Sequence, residues 1–230
     1  MSWAQSLWNQ TQSLVWPVQC SGCKRWDTPL CTNCANLARG PVKTLILDDE
    51  LGVPGWPLLT LGDYQGALRG VVLAAKHDRV RDLTGFLEAA GQTLGSALAK
   101  EPGIQGAGHL WVVPAPSSKA RVKARAEIVP LIATSLARQV ETESATKVRV
   151  VPAVQLAQSK PFRPQSRAGL SKQARGRSRA GSMKQVLGSA SPVPMVIVDD
   201  VVASGATVLE MLRLLGPSVL GVASLAVSIR

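Results

Sequence analysis

The apolar positions of this chain fall into short blocks that switch between two periods. Residues 195–198 (Met-Val-Ile-Val) and 110–113 (Leu-Trp-Val-Val) are continuous apolar runs, and residues 219–229 are nearly so. Runs of this length predict strands covered on both faces. "VRVVPAVQLA" reads as another strand. Residues 81–100 instead place Leu83, Phe86, Leu87, Ala90, Leu94 and Leu98 at helical spacing. "AEIVPLIATSLARQV" is also helical, with Pro130 marking a start or a kink, and "ATVLEMLRLLG" is a helix stopped by Gly216. "YQGALRGVVLAAKHD" reads as an extended apolar run with a polar exit. Strands alternating with helices predict an α/β fold with a parallel sheet. "GVPGWP" marks a loop-rich bridge, which divides the chain into an N-terminal segment with linker, residues 1–60, and an α/β domain, residues 61–230. Residues 158–182 are rich in Ser, Arg, Gly and Pro and read as a long polar loop, a length more often functional than merely connecting.

The 195–198 strand runs into two adjacent carboxylates, Asp199 and Asp200. In open α/β sheets, ligands bind beyond the carboxyl ends of the strands. Adjacent carboxylates repel, so both stay ionised only opposite cations or hydrogen-bond donors. Sugar hydroxyls and a hydrated magnesium ion are suitable partners. Ala203, Ser204, Gly205, Ala206 and Thr207 follow, then a helix. Small residues before a helix N-terminus let backbone N–H groups converge on an anion, and Ser204 and Thr207 add hydroxyls. One segment can thus hold ribose hydroxyls with its acidic half and a phosphate with its small half. The alternative is an Asp pair that merely caps a turn. No GxxxxGK[ST] lysine is present, which favours a ribose phosphate over a nucleoside triphosphate.

Charge adds a second theme. The formal net charge is +11 and the isoelectric point about 10.1, a balance suited to phosphorylated ligands or polyanions. From Ser144 to Val198 there is no Asp or Glu but there are ten Lys and Arg, so the Asp pair ends a long basic stretch. Lys119, Arg121, Lys123 and Arg125 share one face if extended. Stacking aromatics are scarce near them, so a salt-sensitive phosphate interaction is expected rather than base readout. Of the two histidines, His109 precedes a strand and reads as structural or exposed, whereas His77 follows Lys76 and can approach a substrate. Neither belongs to an evident nucleophilic triad.

All four cysteines stand at Cys20, Cys23, Cys31 and Cys34, in the pattern C-x2-C-x7-C-x2-C. Each CxxC can place two thiolates on one tetrahedral ion, so structural zinc is expected, closed to catalysis. Two disulfides or a redox pair are the alternatives. No run of about 18 apolar residues predicts a membrane span. The N-terminus lacks the basic start and compact apolar stretch of a signal peptide, so a cytoplasmic location is expected.

"VIVDDVVASGAT" resembles the phosphoribosyl-pyrophosphate signature of type I phosphoribosyltransferases. With the four cysteines, "YQGALRGVVLAAKHD", "VVPAP" and "GLSKQARGRSRAGSM", the chain resembles the ComF family of competence-associated, phosphoribosyltransferase-like proteins from Cys20 to Thr207. The resemblance implies a type I phosphoribosyltransferase fold that binds phosphoribosyl pyrophosphate with magnesium. It implies that Asp199 and Asp200 contact ribose hydroxyls or magnesium-bound diphosphate, and that Ala203 to Thr207 wrap the 5-phosphate. Pro116, Ser117 and Ser118 would lie in the diphosphate loop, and Tyr64, Arg69 and Lys76 fall where the family has such residues. The chain departs from the family's RGFNQ-like segment, reading "VKARAEIVP" instead. Three activities follow from the resemblance and the chemistry: phosphoribosyl transfer to an acceptor, ribose-phosphate sensing without turnover, or competence-linked DNA processing with competence-machinery partners. The last would hold single-stranded DNA through Arg175, Arg177 and Arg179.

Overall fold

The computed structural model describes residues 18–47, 55–78, 80–117, 127–157, 182–186 and 192–228. It is a mixed α/β structure. Its six-stranded sheet contains β1 (Lys43–Leu47), β2 (Trp56–Thr60), β3 (His109–Pro114), β4 (Lys147–Val150), β7 (Met195–Val202) and β8 (Val219–Val227). The order is β1-β2-β8-β7-β3-β4, and every pairing is parallel except that of the edge strand β1 with β2. The carboxyl ends of β2, β8, β7, β3 and β4 therefore open on one side. A separate antiparallel ribbon joins β5 (Val154–Leu156) to β6 (Met183–Gln185).

The helices are α1 (Thr32–Ala35), α2 (Gly66–His77), α3 (Thr84–Leu98), α4 (Pro102–Gln105), α5 (Val129–Glu143) and α6 (Ala206–Leu215). Alternation along the central strands divides the core between them, as period-two geometry requires. Val196, Val198, Val112, Ala223 and Leu59 pack with α2, α3, α5 and the cysteine segment. Met195, Ile197, Val113, Val222 and Leu58 pack on the other face with α6 and the β5–β6 ribbon. β7, flanked by β8 and β3, is buried at every position but Val201, which is half-buried.

Most expected elements are present, with four differences. β7 runs on through Asp199 and Asp200 instead of ending before them. The segment read as an extended apolar run is helix α2: Leu68, Val71 and Val72 form its buried stripe at helical spacing, obscured in sequence by flanking small apolar residues. "VRVVPAVQLA" is not one strand, because Pro152 separates β4 in the main sheet from β5 in the ribbon. The glycine- and proline-rich bridge follows β1 and ends inside β2, which begins at Trp56, so two strands of the sheet precede residue 61.

Helices α3 and α5 meet almost backbone to backbone. A Cβ at Gly95 would lie 2.7 Å from both Gln139 Cβ and Leu136 O, and one at Gly91 would lie 2.6 Å from Ile132 O. Gly95→Val is therefore expected to destabilise the protein by about 1–3 kcal/mol, the range for overpacking. This exceeds the gain of up to about 1 kcal/mol from replacing a helical glycine. Urea unfolding checks it: a midpoint at or above wild type would show that the helices part freely.

Candidate functional site

At the carboxyl end of the sheet, the structure gathers residues that are far apart in sequence. Asp199 and Asp200 lie in the carboxyl-terminal half of β7 and are 9% and 7% exposed. Successive strand residues project to opposite faces. The alternation through Met195–Val198 puts Asp199 on the α6 side and Asp200 on the α2 side. Lys76, in the last turn of α2, meets Asp200 there, its Nζ 2.7 Å from Oδ1. Asp199 Oδ1 accepts the N–H of Asp200 at 2.8 Å. The two carboxylates thus diverge, and each has a donor, which removes the conflict that their adjacency poses.

The loop after β7 passes through exposed Ala203 and half-buried Ser204 to Gly205. Gly205 has φ +67°, a left-handed conformation that favours glycine, and forms the N-cap of α6. Gly205 itself has no side chain with which to cap this ten-residue helix. Its first-turn N–H groups, at Ala206 and half-buried Thr207, form the positive end of the helix dipole. On the other side of β7, the pairing with β3 continues past Pro114, with the Ala115 N–H donating to Val198 O at 2.8 Å. The half-buried Pro116 and Ser117 consequently leave the sheet alongside the Asp pair. Tyr64 is pinned to the same end, its N–H donating to Val227 O at 2.7 Å, and Arg69 lies over its ring at 5.8 Å. His109, exposed at the start of β3, is at the opposite end of the sheet. Ser118 and the basic residues Arg175, Arg177 and Arg179 lie outside the described residues. The strands entering and leaving residues 158–181 are paired, with Leu156 opposite Met183.

The cysteine cluster is compact. All four sulfurs lie within 4.8 Å of one another, and no two are bonded. Cys20 and Cys23 Sγ are 3.7 and 3.6 Å from Cys31 Sγ. Four thiolates about 2.3 Å from one ion form a tetrahedron with edges of about 3.8 Å, so the sulfurs are spaced to hold a metal ion. The spacing and the all-sulfur donor set are compatible with zinc. Burial pushes the Cys20 thiol up, but hydrogen bonds from the backbone of Cys31, Cys23 and Gly22 outweigh it and bring its pKa down to about 6. The backbone hydrogen bond at Cys34 lowers Cys31, whereas burial and the neighbouring sulfurs raise Cys34.

Sequence reading did not anticipate a cleft of about 920 Å³ between the first cysteine loop and α2, lined in part by Lys24, Arg69, Leu73, His77 and Arg81. Its two walls are joined only in the fold. Among the described residues, no helix is long and apolar enough to cross a membrane. Compared with known proteins, the chain matches no family model and no curated protein.

Proposed function

We propose that the chain binds phosphoribosyl pyrophosphate with magnesium at the carboxyl end of its sheet and transfers the phosphoribosyl group to an acceptor. The observation that carries this reading is the juxtaposition of two buried carboxylates on the central strand with the N-terminus of α6, entered through left-handed Gly205. The carboxylates suit ribose hydroxyls and a magnesium-bound diphosphate, and the helix end suits the 5-phosphate. The resemblance of residues 196–207 to the phosphoribosyl-pyrophosphate signature, and of the longer chain to the ComF family, supports the same reading. A type I phosphoribosyltransferase fold accords with a parallel sheet whose Asp-bearing strand lies inside it. In the transfer, the acceptor forms a bond to the anomeric carbon as the bond to diphosphate breaks. The electron pair leaves on the diphosphate, and the acceptor's proton passes to solvent. Positioning and charge stabilisation supply the rate. The cysteine loop holds zinc in a structural role.

Calorimetry tests the proposal. Wild type should bind phosphoribosyl pyrophosphate in the presence of magnesium, and Asp199→Asn with Asp200→Asn should weaken that binding by more than about 100-fold, the loss expected when two charge-assisted contacts go. Unchanged affinity in the double variant would overturn the assignment.

A further inference from the structure

The cysteine loop and the Asp200 site are connected through one helix. α2 carries Lys76, the ion-pair partner of Asp200, near its end. Midway along the same helix, Gly70 lies directly against the first cysteine loop. A Cβ at Gly70 would stand 2.5 Å from Ser21 O, 2.8 Å from Gly22 O and 3.1 Å from Gly22 Cα. These are backbone atoms and cannot rotate away. Gly22 is in turn wedged between the helix and the metal-binding sulfurs, since a Cβ there would lie 2.6 Å from Cys34 Sγ and 3.2 Å from Ala67 O. Beyond the helix end, Arg81 closes the arrangement. It donates to Gln19 O and, at 3.1 Å, to Ser21 Oγ, and it pairs with Asp78 at 2.7 Å. The Asp78 N–H in turn closes the last turn of α2 on Ala74 O.

The loop therefore touches α2 at its middle and is tied to the residues just past its end, on either side of the turn that presents Lys76. We infer that the four-cysteine metal loop positions Lys76 against Asp200, with Gly70 as the positioning residue, so that metal binding and sugar-phosphate binding are coupled. This rests on the function proposed above. A metal ion fixes the four sulfurs, the sulfurs fix Gly22, and the backbone contact at Gly70 transmits that placement to the helix. Gly70 touches no ligand itself; it acts through Lys76. Coupling of this kind is reciprocal: the factor by which metal strengthens ligand binding equals the factor by which ligand strengthens metal binding.

The test has two arms. In the first, metal content and the affinity for phosphoribosyl pyrophosphate with magnesium are measured for wild type and Gly70→Ala. The variant should keep its metal yet bind the ligand about 10-fold more weakly, within the usual range of coupling factors. In wild type, saturating ligand should raise the metal affinity, measured by equilibrium competition with a chelator, by the same factor as metal raises the ligand affinity, and Lys76→Met should abolish that gain. Wild-type affinity in a metal-loaded Gly70→Ala protein would overturn the inference. The second arm uses no ligand. The interaction between Lys76→Met and Asp200→Asn, from a double-mutant stability cycle, should shrink in the Gly70→Ala background, and an unchanged interaction would overturn the inference. If wild type fails to bind the ligand, the proposed function falls while this second arm still decides the coupling. If Gly70→Ala does not fold, Arg81→Ala, which releases the loop without adding bulk, takes its place in both arms.

Discussion

Chelating the metal, or replacing Cys34 by Ser, is expected to abolish metal binding and cost more than about 4 kcal/mol of stability, the range associated with losing a structural metal. The reason lies in where the cysteines sit. Cys20, Cys31 and Cys34 are buried in the same hydrophobic cluster as Val71 and Val72 of α2 and Leu94 of α3. The loop is thus part of the main core, not an appendage. The described part of the loop has one four-residue helix, a single Gln19–Trp26 bridge and a few turn hydrogen bonds such as Cys20 N–H to Arg25 O and Ser21 N–H to Pro29 O, so little regular structure holds it without the ion. Metal binding of about 10–16 kcal/mol is available to order such a segment. Cys23 is exposed, so Cys23→Ser should lose the ion with less damage to packing than Cys34→Ser. Metal analysis should find about one ion per wild-type chain, with thermal unfolding reporting the stability. Acid should act in the same direction. The ligating form is the thiolate, so protons compete with the metal as pH falls. Cys20, already drawn down to about 6, resists protonation longer than an ordinary thiol, whereas buried Cys34 depends on the metal to lose its proton. A Cys34→Ser protein that loses its metal yet keeps the wild-type midpoint would show that the loop folds on its own contacts, and one that keeps its metal would show that Cys34 is not a ligand.

What the sequence disclosed, and what it hid, follows from the range of the interactions involved. The helix carrying Leu83, Phe86, Leu87, Ala90, Leu94 and Leu98 was legible because each of those side chains is buried and their spacing is local. The cysteine pattern was legible because ligand spacing is itself a short-range signal. α2 is hidden in the sequence because Leu68, Val71 and Val72 are followed by Leu73, Ala74 and Ala75, which blur its stripe into a continuous run. The β5–β6 ribbon joins residues on either side of a long polar stretch, a pairing that no local periodicity encodes. The candidate site shows the same division. The Asp pair and the small residues after it form one local segment, and family resemblance pointed to Lys76. That Lys76 answers Asp200 in particular depends on α2 crossing to the carboxyl end of β7. The backbone contact at Gly70 is hidden for the same reason: a glycine in a helix announces neither its neighbour nor its purpose.

Lys76→Met should destabilise the unliganded protein by about 3–5 kcal/mol, the cost of breaking a buried ion pair by removing one partner. The pair qualifies as buried: the Lys76 and Asp200 side chains are only 13% and 10% exposed at a separation of 2.7 Å. An exposed pair would contribute at most about 1 kcal/mol, so burial decides which regime applies. Methionine keeps most of the aliphatic length of lysine and so isolates the charge from the packing. What remains in Lys76→Met is the Asp200 carboxylate next to Asp199, without its ammonium and with little access to water. Asp200→Asn should cost a similar amount, because it leaves the ammonium without its anion. Combining the two should restore much of the loss, since neither uncompensated charge remains. Magnesium supplies a further discriminator. A divalent cation that accepts oxygen ligands can replace the missing ammonium, so magnesium should raise the unfolding midpoint of Lys76→Met more than that of wild type and have no such effect on Lys76→Met with Asp200→Asn. Equal midpoints for wild type and Lys76→Met would mean that the lysine sits at the site without holding it. A magnesium response shared by all three proteins would place the cation elsewhere than at Asp200.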